Sequence, residues 1–433
     1  MKRIKVDVSP IERFTTKIFK MRVEKGTTEI RLRLVESSTK AGNELKILIY
    51  DACGDFRGWM DKNKDELLLK KNGSSLNGVS GYLPEGEWKI LIEFGMITNY
   101  FLCEIEEDSR FTPSNEEWFV GELHSHTTKS DGAMSIEELL KEAKDHGLDF
   151  IFITDHDVPL LTNERNKNEG SFKVFPGTEL TTYKGHALAL GISRHVNPTL
   201  LHESLEDASN LVKSEGGIFG IAHPFFPPSP YCSGCKWSYN VSPKFIDFLE
   251  IWNSGGTGAL FPAFNFASLS LWTEFLNDGY RISATSGGDI HRRGDFNDLW
   301  LPYHVRTNEI ELKQILCSIR SGKSYASRGK FFFEAFYRNR TYQCGDVVKI
   351  SDGNSFEIHV KTENASKILL MSSKGVVMVD SSFVNKKMEL DGIRWINAVA
   401  LYKNFIVGFS NPIYFDYFEH LDYTNDKKED CAL

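Results

Sequence analysis

In the stretch GELHSHTTKSDG, residues 121–132, one residue separates His124 from His126, and Asp131 follows five residues later. On a β-strand, positions two apart project to the same face, so both imidazoles can reach one metal ion where the strand ends. The polar, Gly-containing run after them can fold Asp131 back to the same place. An HxH pair also occurs without a metal, so its meaning depends on what else the chain brings to it.

Further donors recur at matching places. His156 in TDHD, Glu179 in GTEL, His223 in AHP, and Asp289 with His291 in GGDIH all fall at the C-terminal ends of strand-like runs. WFVGELHSH reads as a strand, and SIEELLKEAKDHG as a helix with Ser135 as N-cap, Glu138 completing a capping box and Gly147 as the stop. LDFIFITDHD reads as a strand buried on both faces. Strand-like KVFPGTEL, HALALGI, GIFGIAHP, FIDFLEIWN and RISATSGGDIH alternate with amphipathic ESLEDASNLVKSEGG, PAFNFASLSLWTEFLNDG and NEIELKQILCSIRSG. Such alternation points to an α/β barrel or a doubly wound sheet, and in a barrel the strand C-termini share one mouth.

Ten of the twelve histidines lie between residues 124 and 304. His186 is out of pattern, because it begins the run GHALALG rather than ending it. His146, His195, His202 and His304 read as solvated residues of loops and helix ends. Glu250 in FLEIWN, taken to fall at a strand end, is read either as a partner of a metal ligand or as a structural residue.

The 433-residue chain has room for two or three domains, and its 41% hydrophobic and 25% charged content is ordinary globular composition. A net charge of −8 argues against general affinity for nucleic acid or anionic membranes. It leaves open an anionic substrate held by bound cations. With no secretory h-region and no apolar run long enough to span a bilayer, the expected location is cytoplasmic. Seven cysteines, mostly dispersed, do not describe a disulfide framework. Cys232 and Cys235 form a CxxC read as a structural loop, with a redox or extra metal role as the alternative.

Residues 1–116 alternate apolar and polar positions in EIRLRLV, ELKILIYDA and EWKILIEFG, which suggests an antiparallel β-sandwich with no histidine in it. Within it, FRGWM reads as a buried Trp59 beside a turn, or as a binding surface with Arg57. Residues 331–418 are again strand-rich, and 419–433 read as a polar tail.

The middle of the chain, residues 117–330, resembles the PHP (polymerase and histidinol phosphatase) metal-dependent hydrolase family. The resemblance rests on HSH at 124–126, Asp131, TDH at 154–156, Glu179, His186, His223 and the pair Asp289 and His291, which fill nine ligand positions in order. It departs from one common form of the family by Asp rather than His at 131. DACGDFRGWMDKN, GYLPEGEWKI, GKSYASRGKFFFEAF and NPIYF resemble the β-domains of the carbaryl-hydrolase-like (CehA/McbA) branch.

The resemblance implies a distorted seven-stranded (β/α) barrel, flanked by two β-sandwiches and holding two to three divalent ions. His124, His126, Glu179 and Asp289 would hold the first ion, Glu179, His186 and His223 the second, and Asp131, His156 and His291 the third. Mixed imidazole and carboxylate donors suit zinc, manganese or iron. A hydroxide bridging two ions would be the nucleophile, with Glu179 and Asp289 as catalytic residues. Arg292, Arg293, Lys184 and Tyr183 are the candidates for substrate binding.

A phosphoesterase acting on a small-molecule ester is the leading expectation. The alternative is a carboxylic or carbamic ester hydrolase with an apolar pocket drawn from Phe225, Phe226, Trp237 and Trp252. A third possibility is a non-catalytic metal-binding module, because fold does not fix function.

Overall fold

The computed structural model describes residues 2–24, 26–36, 43–111, 116–160, 170–240, 242–255, 261–350, 355–379, 381–403 and 405–417. The expected polar tail lies outside them.

Two four-stranded sheets make up the N-terminal part. One runs in the order Lys2–Val8, Phe101–Phe111, Thr27–Glu36, Glu66–Lys70, and the other Thr16–Val23, Gly86–Phe94, Leu45–Tyr50, Phe56–Asp61. Their alternate side chains, among them Val8, Ile30, Leu32, Ile47, Trp88, Ile90 and Ile105, meet in one core. In FRGWM it is Arg57 that is fully buried, whereas Trp59 is half-buried. This corrects the sequence reading. The two terminal nitrogens of Arg57 bond Asp51 at 3.0 Å and the carbonyls of Tyr82, Val79 and Gly81, so an inward arginine fastens a loop.

The middle part is a strand ladder: β1 (Glu117–Glu122), β2 (Phe150–Ile153), β3 (Lys173–Thr182), β4 (Gly185–Leu190), β5 (Ile218–Ile221), β6 (Phe248–Asn253) and β7 (Ser283–Gly287), paired in that order. Helix α1 (Ile136–Asp145) begins with the expected capping box, Ser135 with Glu138, and Gly147 with φ +74 follows its end. Helices α2 (Leu205–Ser214), α3 (Phe261–Asn277) and α4 (Leu312–Arg320) fall within the other amphipathic segments. All neighbouring pairs are parallel except β3/β4 and β4/β5, so β4 alone runs backwards.

Among the described residues, strand pairing does not by itself close this ladder into a barrel. The free edge of β1 is occupied by β8 (Tyr303–Thr307), which pairs in turn with β9 (Ser324–Ser327). Beyond the ends of β1 and β7 a single bridge joins Ser125 and Ile290, with His126 N–H donating to the Ile290 carbonyl at 2.8 Å.

From β9 the sheet continues into strand Phe405–Ser410, then Trp395–Tyr402 and Lys367–Ser372. These share a core with the separate sheet of Phe331–Tyr337, Arg340–Tyr342, Ser355–Thr362 and Phe383–Glu389.

The three parts meet at buried charges. Lys323 contacts Glu85 at 2.6 Å and Glu116 at 2.8 Å, and Arg306 contacts Glu116 at 3.4 Å and Asp346 at 2.5 Å. Burial works against the Lys323 charge, but the two carboxylates outweigh it and raise the pKa. The expectation of no disulfides is corrected too: Cys53 pairs with Cys317 and Cys232 with Cys235. The first pair spans 264 residues and arises only because the N-terminal sandwich docks on α4, which no local spacing reveals. Among the described residues no helix is long and apolar enough to cross a membrane.

Candidate metal centre

All nine donors expected from the sequence converge beyond the strand ends at one mouth. His124 and His126 leave the end of β1 and are fully buried, and Glu179 lies on β3. His186 fits because β4 is reversed, so the start of that strand lies at the same mouth as the ends of the others; Thr181 and His186 are in register. His223 and Asp289 follow β5 and β7 at φ +27 and +51, a region non-glycine residues seldom occupy. Gly287, two residues before Asp289, has a reason of its own, since a Cβ there would lie 2.8 Å from His124 Cβ and closer still to Glu250.

Glu179 is the hub. Its Oε1 lies 3.0 Å from His186 Nδ1 and 3.1 Å from His223 Nε2. Its Oε2 lies 3.0 Å from His156 Nδ1, 3.3 Å from His124 Nε2 and 3.4 Å from His126 Nε2. Asp289 Oδ1 approaches His126 Nε2 at 3.1 Å and His124 Nε2 at 3.4 Å. Asp131 completes the outer end, 3.4 Å from His156 and 3.3 Å from His291.

Burial raises the pKa of Glu179, but His124, His156 and His186 outweigh it and hold the carboxyl well below its usual range. Burial likewise opposes charge on His156 and His291, yet Glu179 and Asp131 lift the first to about 11, and Asp131 and Asp289 lift the second to about 9. The cluster thus holds opposite charges packed together, with carboxylates ready to accept a cation.

The donors fit divalent ions. His124 Nε2, both ring nitrogens of His126, Glu179 Oε2 and His223 Nδ1 are buried without a hydrogen-bond partner, a costly arrangement unless something else coordinates them. Several sets offer ligand atoms within 4.8 Å of one another, including His124, His126 and Glu179, and His126, Asp131, His156 and His291.

A cavity of about 510 Å3 opens beside Asp131, His156 and His186 and is lined also by Thr181, Thr182, Tyr183, Thr199 and His202. Of the four expected substrate contacts, only Tyr183 lines it. Lys184 is exposed on the same hairpin, Arg292 pairs with Asp295, and Arg293 turns to Glu138 on α1 at 3.1 Å. The proximity of both arginines to His291 in sequence is thus spent on ion pairs. His202, read as solvated, lies in the cavity lining with Nδ1 3.1 Å from Tyr239 Oη. Phe225, Phe226, Trp237 and Trp252 are not among the residues lining it; Trp237 and Trp252 are core.

Two positions, Glu122 and Asp155, were not assigned a role from sequence, and the loop reading of Cys235 left its neighbours unnamed. Glu122, two residues before His124 on one strand face, is buried and accepts from His124 N, Gly288 N and Trp300 Nε1, tying the ends of β1 and β7 together; burial pushes its pKa up to about 7. Asp155 accepts from Thr127 N–H and Oγ1 and from Ser130, fixing the loop to Asp131. Cys235 lies with His186 and His223. Glu250, left open above, lies 2.9 Å from His124 Nδ1 and orients that ring.

Residues 122–216 match the PHP domain model, a span that contains His124, His126, Asp131, His156, Glu179 and His186. The chain is 29% identical over 146 residues to the uncharacterized protein MJ1587 of Methanocaldococcus jannaschii, covering 31% of this chain and 81% of that one. It is 30% identical over 93 residues to the 5'-3' exoribonuclease Rnm of Salmonella typhimurium, covering 20% of this chain and 31% of that one. A solved two-domain protein from Bacteroides vulgatus, described as containing a predicted PHP-like metal-dependent phosphoesterase, overlays with TM-score 0.37 at 14% identity, covering 70% of this chain and 98% of that chain. The match shows that the chain contains a PHP domain, and six of the nine clustered donors lie within the matched residues while His223, Asp289 and His291 follow it.

Proposed function

We propose that the protein is a phosphoesterase working with two to three divalent ions held by these nine donors. Supporting this reading most directly are the buried donor atoms around Glu179 and Asp289 that make no hydrogen bond among the described residues. His124, His126, Glu179 and Asp289 would hold one ion, Glu179, His186 and His223 a second, and Asp131, His156 and His291 a third. Ions bound there supply an activated water and neutralise charge developing on a phosphoryl oxygen.

The chain's own residues do the rest. Asp289, kept ionised by His124, His126 and His291 against the effect of burial, is the acceptor for the proton that the attacking water loses. Glu179 touches five imidazoles and holds the donor geometry. Tyr183 and His202 at the cavity wall orient the ester. Asp131, His156 and His186 at the cavity and the absence of the four named aromatics from its lining favour a phosphate over an aryl carbamate, and the Salmonella relative is named a 5'-3' exoribonuclease. The flanking domains' resemblance to the CehA/McbA branch supports a carboxylic or carbamic ester instead.

Metal-loaded protein assayed with chromogenic phosphate mono- and diesters, aryl acetates and aryl carbamates separates the two. Turnover of a phosphate ester that Glu179→Gln abolishes is the expected result. Turnover confined to acetates or carbamates would overturn it.

A further inference from the structure

The CxxC of YCSGCKW is not needed for the chemistry above, yet the fold carries it to the metal centre. Cys235 is buried, and its sulfur lies within 4.8 Å of ligand atoms of both His186 and His223. Among the described residues His223 Nδ1 is buried without a hydrogen-bond partner. His186 donates its Nε2 proton to the Ser233 carbonyl at 3.2 Å, leaving Nδ1 facing Glu179.

Backbone contacts, and not only the sulfur pairing, place the loop. Ser238 N–H donates to the Lys184 carbonyl at 2.6 Å and Trp237 N–H to the Pro224 carbonyl at 2.9 Å. Gly234, at φ +82, packs so closely on the β3–β4 hairpin that a Cβ would stand 2.7 Å from Tyr183 Cα. Cys232 differs from its partner: it is half-buried and lines the open cavity, where a small thiol can reach it.

We propose that Cys232 and Cys235 form a redox switch on the ion held by His186 and His223, an inference that rests on the metal-site reading above. Reduced, the Cys235 thiolate joins the two imidazoles as a ligand; oxidised, its sulfur is withheld in the bond to Cys232. A small thiolate attacks Cys232 Sγ, the Cys232–Cys235 bond breaks and Cys235 leaves as thiolate. A second small thiolate attacks the mixed disulfide, releasing Cys232 as thiolate and forming a small-molecule disulfide. The protein gains the two electrons that the two thiols lose. A soft sulfur donor also biases this position toward zinc or iron over manganese.

The test uses the full chain carrying Cys53→Ser, so that the other pair cannot respond, loaded with cobalt(II) in place of the native ion. Reduced protein is expected to show a thiolate-to-cobalt charge-transfer band that persists in Cys232→Ser, is absent from Cys235→Ser and is lost on treatment with excess small disulfide. Zinc competition with a chromophoric chelator should show one ion bound at least roughly tenfold more tightly in the reduced than in the oxidised state, without any substitution at the switch. Cobalt uptake with no thiolate band, a band surviving Cys235→Ser, or equal affinity in both states would overturn the inference alone. No cobalt uptake would overturn the metal-site reading as well.

Discussion

His186 Nδ1 lies 3.0 Å from Glu179 Oε1 across the β3–β4 hairpin, although His186 stands near the start of its strand and Glu179 near the end of its own. The reversed direction of β4 makes the two positions equivalent, and it lets one carboxylate serve imidazoles from both sides of the mouth. Glu179→Gln keeps the shape and removes the charge, so it should lower bound metal and cut activity at least roughly a hundredfold more than His146→Ala. His146 lies at the end of α1, stacked on Phe296, and contributes no donor to the cluster. Equal losses in the two variants, measured by elemental analysis and turnover, would mean that the ligand map is wrong.

Glu250 acts through its neighbours. One oxygen lies 2.9 Å from His124 Nδ1, and the other accepts from Asn253 at 2.7 Å and from His223 N–H at 3.3 Å. Glu250→Ala should weaken metal binding by about 10–100-fold in chelator competition while leaving all nine donors in place. Undiminished affinity would reduce Glu250 to a structural residue.

Most of the clustered residues were legible because they stand at or just beyond strand ends, which are marked by a change from apolar to polar residues at a readable spacing; Asp131, in the loop before α1, was not placed by that signal. His124, His156 and His223 needed nothing else. His186 required the hairpin direction, which no single stretch encodes. Arg293 shows the limit of proximity in sequence, since its partner Glu138 lies 155 residues away and claims it. Cys235 and Cys317 became informative only through docking of a loop and of a domain, contacts set by the whole packing. The same holds for the edge of β1, which pairs with β8 while a single bridge from Ser125 to Ile290 reaches the far end of the ladder.

His304 offers a pH signature apart from the metal centre. Its ring stacks on Tyr325 at 4.4 Å with Nε2 3.2 Å from the Ser327 carbonyl, and burial pushes its pKa down to about 4 against that hydrogen bond. The folded value lies below the unfolded one of about 6.5, so as pH falls the unfolded chain takes up the proton first. The neutral ring's contribution is therefore complete above about pH 6.5 and is lost between there and about pH 4. Over that window, wild type should lose on the order of 2 kcal/mol more than His304→Phe in denaturant titrations. Parallel pH profiles for the two proteins would count against the buried neutral imidazole.

Every candidate ligand lies between residues 124 and 291, so removing residues 1–112 should leave the metal centre its donors and instead strip the support behind it. Lys323 would keep Glu116 and lose Glu85, Lys313 would lose Asp51 and Asp55, and the Cys53–Cys317 link would vanish. Lys323 would keep one of its two carboxylates, so the loss on the charged side is partial and adds to the loss of the covalent link and of the covering sandwich. The truncated protein should thus melt at lower temperature with its metal content unchanged, and Lys323→Met within it should recover part of the loss. Deleting 331–433 should be worse, since it removes strand Phe405–Ser410 from the edge of β9 and exposes the core shared with that sheet. Bound metal and melting temperature for both truncations decide the matter, and metal lost from a well-folded N-terminal truncation would show that the first sandwich helps build the site.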